Sequence, residues 1–113
     1  MSSADERLAD AWSACELGRA ITHEEHVRIA VVLLRRHGRE EGIRLIDEGT
    51  LRNSEALGAA DKYDGELTRR WSEALADAVE TTGAHDADEL IGAHPEFLSS
   101  GLFGPPAWKS SGL

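Results

Sequence analysis

Thr22-His23-Glu24-Glu25-His26-Val27-Arg28-Ile29-Ala30-Val31-Val32-Leu33-Leu34 decides how this chain folds. Thr22 with Glu25 three positions on is a capping box, which starts a helix by satisfying its first backbone N–H groups. The apolar run that follows is not alternating, so it reads as a helix interior rather than a half-buried strand. Arg35, Arg36 and His37 then supply positive charge to the last turn, and Gly38 supplies the stop. A helix over 22–37 with so apolar a continuation must be buried, and the rest of the molecule has to be built around it.

Working outward, the flanking segments repeat that pattern. Ser3 with Glu6 reads as a capping box for a first helix ending near Leu17, with Leu8, Ala11, Trp12 and Cys15 as its buried stripe and Gly18 as its stop. On this spacing Cys15 is a small buried hydrophobe. A third helix runs over about 39–57, anchored by Ile43, Leu45 and Ile46, where Gly42 and Gly49 either weaken it or admit a close neighbour. After a connector at 59–62, Leu67, Trp71, Leu75 and Val79 recur every four residues in a fourth helix over 64–82, stopped by Gly83. Asp86 and Glu89 open a short fifth helix, which ends near His94 because Pro95 follows.

These readings predict an all-α fold, a compact bundle of four to five helices. Ala, Leu, Glu and Arg dominate, all strong helix formers, and only 5% of the 113 residues are aromatic. Residues 95–108 are rich in Gly, Pro and Ser yet hold Phe97, Leu98, Leu102, Phe103 and Trp108. That mixture predicts an irregular apolar cover over the bundle, so that 1–108 form a single helical domain and 109–113 a frayed tail.

Charge and composition exclude several functions. The formal charge is −9, from 12 Lys and Arg against 21 Asp and Glu, and residues 72–107 hold no Lys or Arg. Such a surface repels phosphate, so neither nucleic acid nor an anionic membrane is expected as a partner. Cys15 is the only cysteine, which rules out an intramolecular disulfide. The N-terminus has no apolar signal region, and the run 29–34 is too short to span a bilayer, so a soluble cytoplasmic protein is expected. There is no Gly-rich phosphate loop, no Gly-x-Ser-x-Gly turn and no Cys-x-x-Cys pair.

The chemistry that remains centres on two histidines. His23 and His26 lie three positions apart, so both rings project to the same side of the second helix, at the mouth of its apolar stripe. A first-turn position favours the neutral imidazole, the form that binds metals and accepts protons. If Asp64, which opens the fourth helix, approaches them, two His and one carboxylate make a site for a divalent metal with open positions, Zn or Fe(II) by ligand type. Tyr63, Lys62 and Arg28 would then orient a small anionic or carbonyl-bearing substrate, with the metal acting as Lewis acid or activating water. A metal-free version uses a neutral His as general base and Tyr63 as acid. The plain alternative is that Asp64 is only an N-cap and the histidines are structural. His85, in an acidic connector, reads as solvated, and His94 as a helix-end residue.

Thr22-His23-x-x-His26-Val27-Arg28-x-Ala30 and Lys62-Tyr63-Asp64-x-x-Leu67-Thr68-x-x-Trp71, with His94-Pro95-Glu96-Phe97-Leu98 after them, resemble a family of small, largely uncharacterised bacterial helical proteins. That family's pattern is T-H-x-x-H-L-R-x-A-W followed by Y-H-x-T-L-T-x-x-W. The likeness spans about residues 12–98 and implies a polar site at His23, His26 and the position of Asp64, but no settled activity. Asp64 stands where the pattern has His, and Val31 where it has an aromatic residue. The expectation is therefore a small helical enzyme acting through a His/His/Asp site. A non-catalytic acidic module binding a basic protein, with a possible homodimer through the apolar tail, is the rival.

Overall fold

The structure, a computed structural model, describes residues 3–98, with only the backbone of Ser3 and Lys62. Five α-helices are found there: α1 (Ser3–Ser13), α2 (His23–His37), α3 (Arg39–Ala56), α4 (Gly65–Thr82) and α5 (Ala87–Ala93). Single 3-10 turns follow α3 (Ala60–Lys62) and α5 (Pro95–Leu98). The described residues contain no strand, so the fold is all-α as expected.

Helix α2 is the central element because the stretch from Ile29 to Leu34 leaves it no polar face. Val27 and every residue from Ile29 to Leu34 are buried, and a helix apolar on all sides must be surrounded. It is: α1, α3, α4, α5 and the Pro95–Leu98 turn all pack against it. Each large aliphatic side chain buried this way contributes about 1.5–3 kcal/mol. Thr22 caps α2 with both halves of the capping box formed.

One residue, Gly38, joins α2 to α3. Its φ of 83° lies where a side chain is disfavoured. Its N–H donates to Leu34 O, and its own carbonyl accepts from Gly42 N. The glycines of α3 serve close approach. A Cβ on Gly42 would lie 2.9 Å from Leu34 Cα, and one on Gly49 would lie 2.4 Å from Trp12 Cζ3. Gly42, Ile46 and Gly49 are the buried residues of α3, while Ile43 and Leu45 pack at the edge of the core.

The end of α1 departs from expectation. The helix stops at Ser13 rather than near Leu17. Glu16 N donates to Ala11 O and Cys15 N to Trp12 O, the paired bonds of a Schellman motif. Cys15 occupies its left-handed position with φ 58° and is half-buried, not a core residue of a helical stripe.

The later elements follow their caps. The Asp64 side chain accepts from Leu67 N at the start of α4, and Gly83 closes that helix in a left-handed conformation. The Asp86 side chain accepts from Glu89 N at the start of α5, and His94 ends it. Phe97, the first part of the expected apolar cover, is buried. Residues 99–113, which hold Leu102, Phe103 and Trp108, lie outside the described residues. No described helix is long and apolar enough to cross a membrane.

Candidate functional site

Both histidines turn inward from the first turn of α2. The His26 ring stacks on Trp71 of α4, centroids 4.4 Å apart and planes at 26°, and lies 6.0 Å from the Trp12 ring of α1. His23 meets Trp71 edge-on at 5.9 Å. Its Nε2–H donates to the carbonyl of Phe97 at 2.7 Å, since a carbonyl can only accept. The pair thus links α2 to α4 and to the Pro95–Leu98 turn.

The hydrogen bonds also fix the His26 tautomer. Thr50 Oγ1 gives its one hydrogen to Ile46 O at 2.7 Å. Toward His26 Nε2, 3.3 Å away, it can therefore only accept, so Nε2 carries the proton. Burial, reinforced by the neighbouring His23, lowers the His26 pKa from 6.5 to about 4. At neutral pH the ring is uncharged and Nδ1 is its basic nitrogen. No described residue hydrogen-bonds that atom.

His26 lines a cavity of about 200 Å³ between α1, α3 and the 19–21 connector. Trp12, Ile21 and Leu57 form its apolar walls. Thr50, Asn53 and Ser54 line it from one face of α3. Arg19 stands at the rim, but its guanidinium is held by both carboxylate oxygens of Glu25, each at 2.9 Å. That bond, with the Thr22 N–H, holds the Glu25 carboxyl down at about 2. Glu25 is thereby committed to the helix start.

The other expected site residues are placed elsewhere. Asp64 faces the start of α4, accepting from Leu67 N at 3.0 Å. Tyr63 donates its hydroxyl proton to Asp47 of α3. Burial and that carboxylate push the Tyr63 pKa up to about 12, so it holds its proton at neutral pH. The side chain of Lys62 lies outside the described atoms. Among the described residues, no three His, Cys, Asp or Glu side chains are grouped to hold a metal ion. Arg28 is engaged by three carboxylates: Asp5 of α1 at 3.2 Å, Glu24 at 3.2 Å and Asp88 of α5 at 2.8 Å. Two positions past His26, it lies about 200° around the helix from that ring. It ties α1, α2 and α5 together and does not line the cavity. His85 is exposed beside Glu89, and His94 pairs with Glu96.

The structure brings to the cavity Trp12, expected only as a core residue, and Thr50, Asn53 and Ser54, which the sequence did not single out. Their signal was present but faint. Residues 50, 53 and 54 repeat at helical spacing directly after Gly49, the position that brings α3 against Trp12. Comparison of the chain with known protein families, characterised proteins and solved structures finds no match.

Proposed function

We propose that this protein acts on a small polar metabolite bound in the cavity at His26, with the neutral imidazole accepting a proton through Nδ1. The observation that carries this is the Thr50 contact, which commits Nε2–H and leaves the basic nitrogen to a ligand. Trp71, stacked on the ring, and Trp12, tilted beside it, hold the imidazole in place. A ring this weakly basic takes a proton only from an acidic group, or after a ligand raises its pKa. The test is the imidazole nitrogen NMR spectrum of His26. Protonated Nε2 and bare Nδ1 from pH 7 down to about pH 5, and loss of any turnover in His26→Gln, are the expected results. A ring that titrates near 6.5 overturns the reading.

A divalent ion, Zn or Fe(II) by ligand type, is a second reading. Each histidine has its Nε2 anchored on an oxygen, the support that usually presents the other nitrogen to a metal. Its protein ligands would be the two imidazoles, with Asp64 occupied at α4. About one ion per chain in untagged protein, lost in His23→Ala, supports it; absence of metal from protein refolded with zinc removes it. The interaction-module reading has less support, because Asp77 and Glu80 pair with Arg39 and Asp88 with Arg28.

A further inference from the structure

The polar wall of the cavity has spent its hydrogens. Thr50 Oγ1 donates to Ile46 O at 2.7 Å, and Ser54 Oγ donates to Thr50 O at 2.7 Å. Asn53 gives both amide hydrogens to carbonyls, Trp12 O and Gly49 O, each at 2.9 Å. Because both partners are acceptors, the amide cannot be turned the other way. Each of these side chains lines the cavity and has only lone pairs left to offer it. Among the described residues, no donor reaches Asn53 Oδ1 or Ser54 Oγ. His26 lines the same cavity and has its one N–H directed to Thr50. The one cationic group at the rim, Arg19, has its charge balanced by Glu25, which with Ala20 O takes three of its five N–H donors. An aromatic face, Trp12, completes the lining.

We infer that the ligand of this cavity is a hydrogen-bond donor carrying positive charge, a primary ammonium on a short apolar chain. This rests on the cavity being the binding site. An ammonium brings three N–H donors and no acceptor, which matches acceptors that have no hydrogens left to give. An anion would meet three oxygen lone pairs along α3, with donors only at Arg19 on the rim, where Glu25 already holds the charge, an arrangement that costs binding. The indole face attracts a cation, the walls at Ile21 and Leu57 suit a short alkyl chain, and the net charge of −9 draws cations toward the molecule.

The probes are n-butylammonium and butyrate, similar in size and opposite in both charge and hydrogen-bonding sense, titrated at neutral pH and followed by NMR. Butylammonium is expected to give saturable shifts confined to His26, Thr50, Asn53 and Ser54, with butyrate at least about tenfold weaker. Ser54→Ala, which removes one acceptor while favouring the helix, is expected to weaken butylammonium by about tenfold. Butyrate binding in the cavity as well as the amine overturns the donor inference and leaves the binding site standing. Shifts by the amine spread over the acidic surface, or unaffected by Ser54→Ala, also overturn it. No cavity shift by either probe up to about 50 mM removes both inference and site.

Discussion

Replacing Gly49 by alanine sets two effects of known size against each other. Alanine in a helix interior is favoured over glycine by about 1 kcal/mol. Here the new Cβ would stand 2.4 Å from Trp12 Cζ3 and 2.5 Å from Cη2, against about 3.5–4.0 Å for carbon atoms in contact. The indole must move by about 1 Å. It is only 3% exposed, its own carbonyl is tied to Asn53, and its ring also neighbours His26. Forcing a methyl group into such packing costs about 1–3 kcal/mol, and more where nothing can yield. With the ring so held the cost lies at the upper end, about 2–3 kcal/mol, so the clash wins and Gly49→Ala should destabilise by about 1–2 kcal/mol net, lowering Tm by roughly 4–8 °C at this chain length. Gly92→Ala is the control: nothing lies within 4 Å of its Cβ position, so it should gain a few tenths to about 1 kcal/mol. Circular-dichroism melts of both variants, with tryptophan fluorescence to report the ring's movement, decide the matter. A Gly49→Ala protein melting at or above the parent would refute the reasoning.

Three further outcomes are expected. The His26 pKa of about 4 in the fold, against 6.5 unfolded, means that the unfolded chain binds the proton first. The associated stability is therefore complete above about pH 6.5 and falls as pH drops toward 4, by roughly 3 kcal/mol in all. Urea melts across that range should show this slope in the parent and a flatter one in His26→Gln. Cys15→Gly relieves a left-handed backbone carried by a side chain, and should raise stability by about 1 kcal/mol in the same assay. Arg28→Met strips the buried Asp5 carboxylate of its cation and should cost about 1–3 kcal/mol, while ligand shifts at His26 stay unchanged; their loss would place Arg28 in the site after all.

The sequence made the helices legible wherever a side chain did the capping. Thr22, Asp64 and Asp86 each mark a helix start, because their oxygens satisfy N–H groups that the helix cannot. The end of α1 was not legible, since the left-handed position fell to Cys15 and glycine is its usual occupant. The inward aim of His23 and His26 followed from the pitch of one helix. That same pitch carries Arg28 about 200° away from His26, to where Asp5, Glu24 and Asp88 engage it. The position of Asp64 relative to the histidines was beyond a sequence, because it depends on how α3 and α4 stack. In the fold α3 supplies Asp47 to Tyr63 and Thr50 to His26, two pairings between residues far apart in the chain.

The single glycine between α2 and α3 has a kinetic meaning. A joint of one residue leaves little loop-closure entropy to overcome, and contacts between helices adjacent in the chain form fastest. The topology therefore implies that the hairpin of α2 and α3 assembles first. His26 and Thr50 both belong to it, so the imidazole acquires its anchor while α4 and α5 are still searching for their places. The His23 bond to Phe97 reaches across 74 positions, and loop-closure entropy weighs most on that contact.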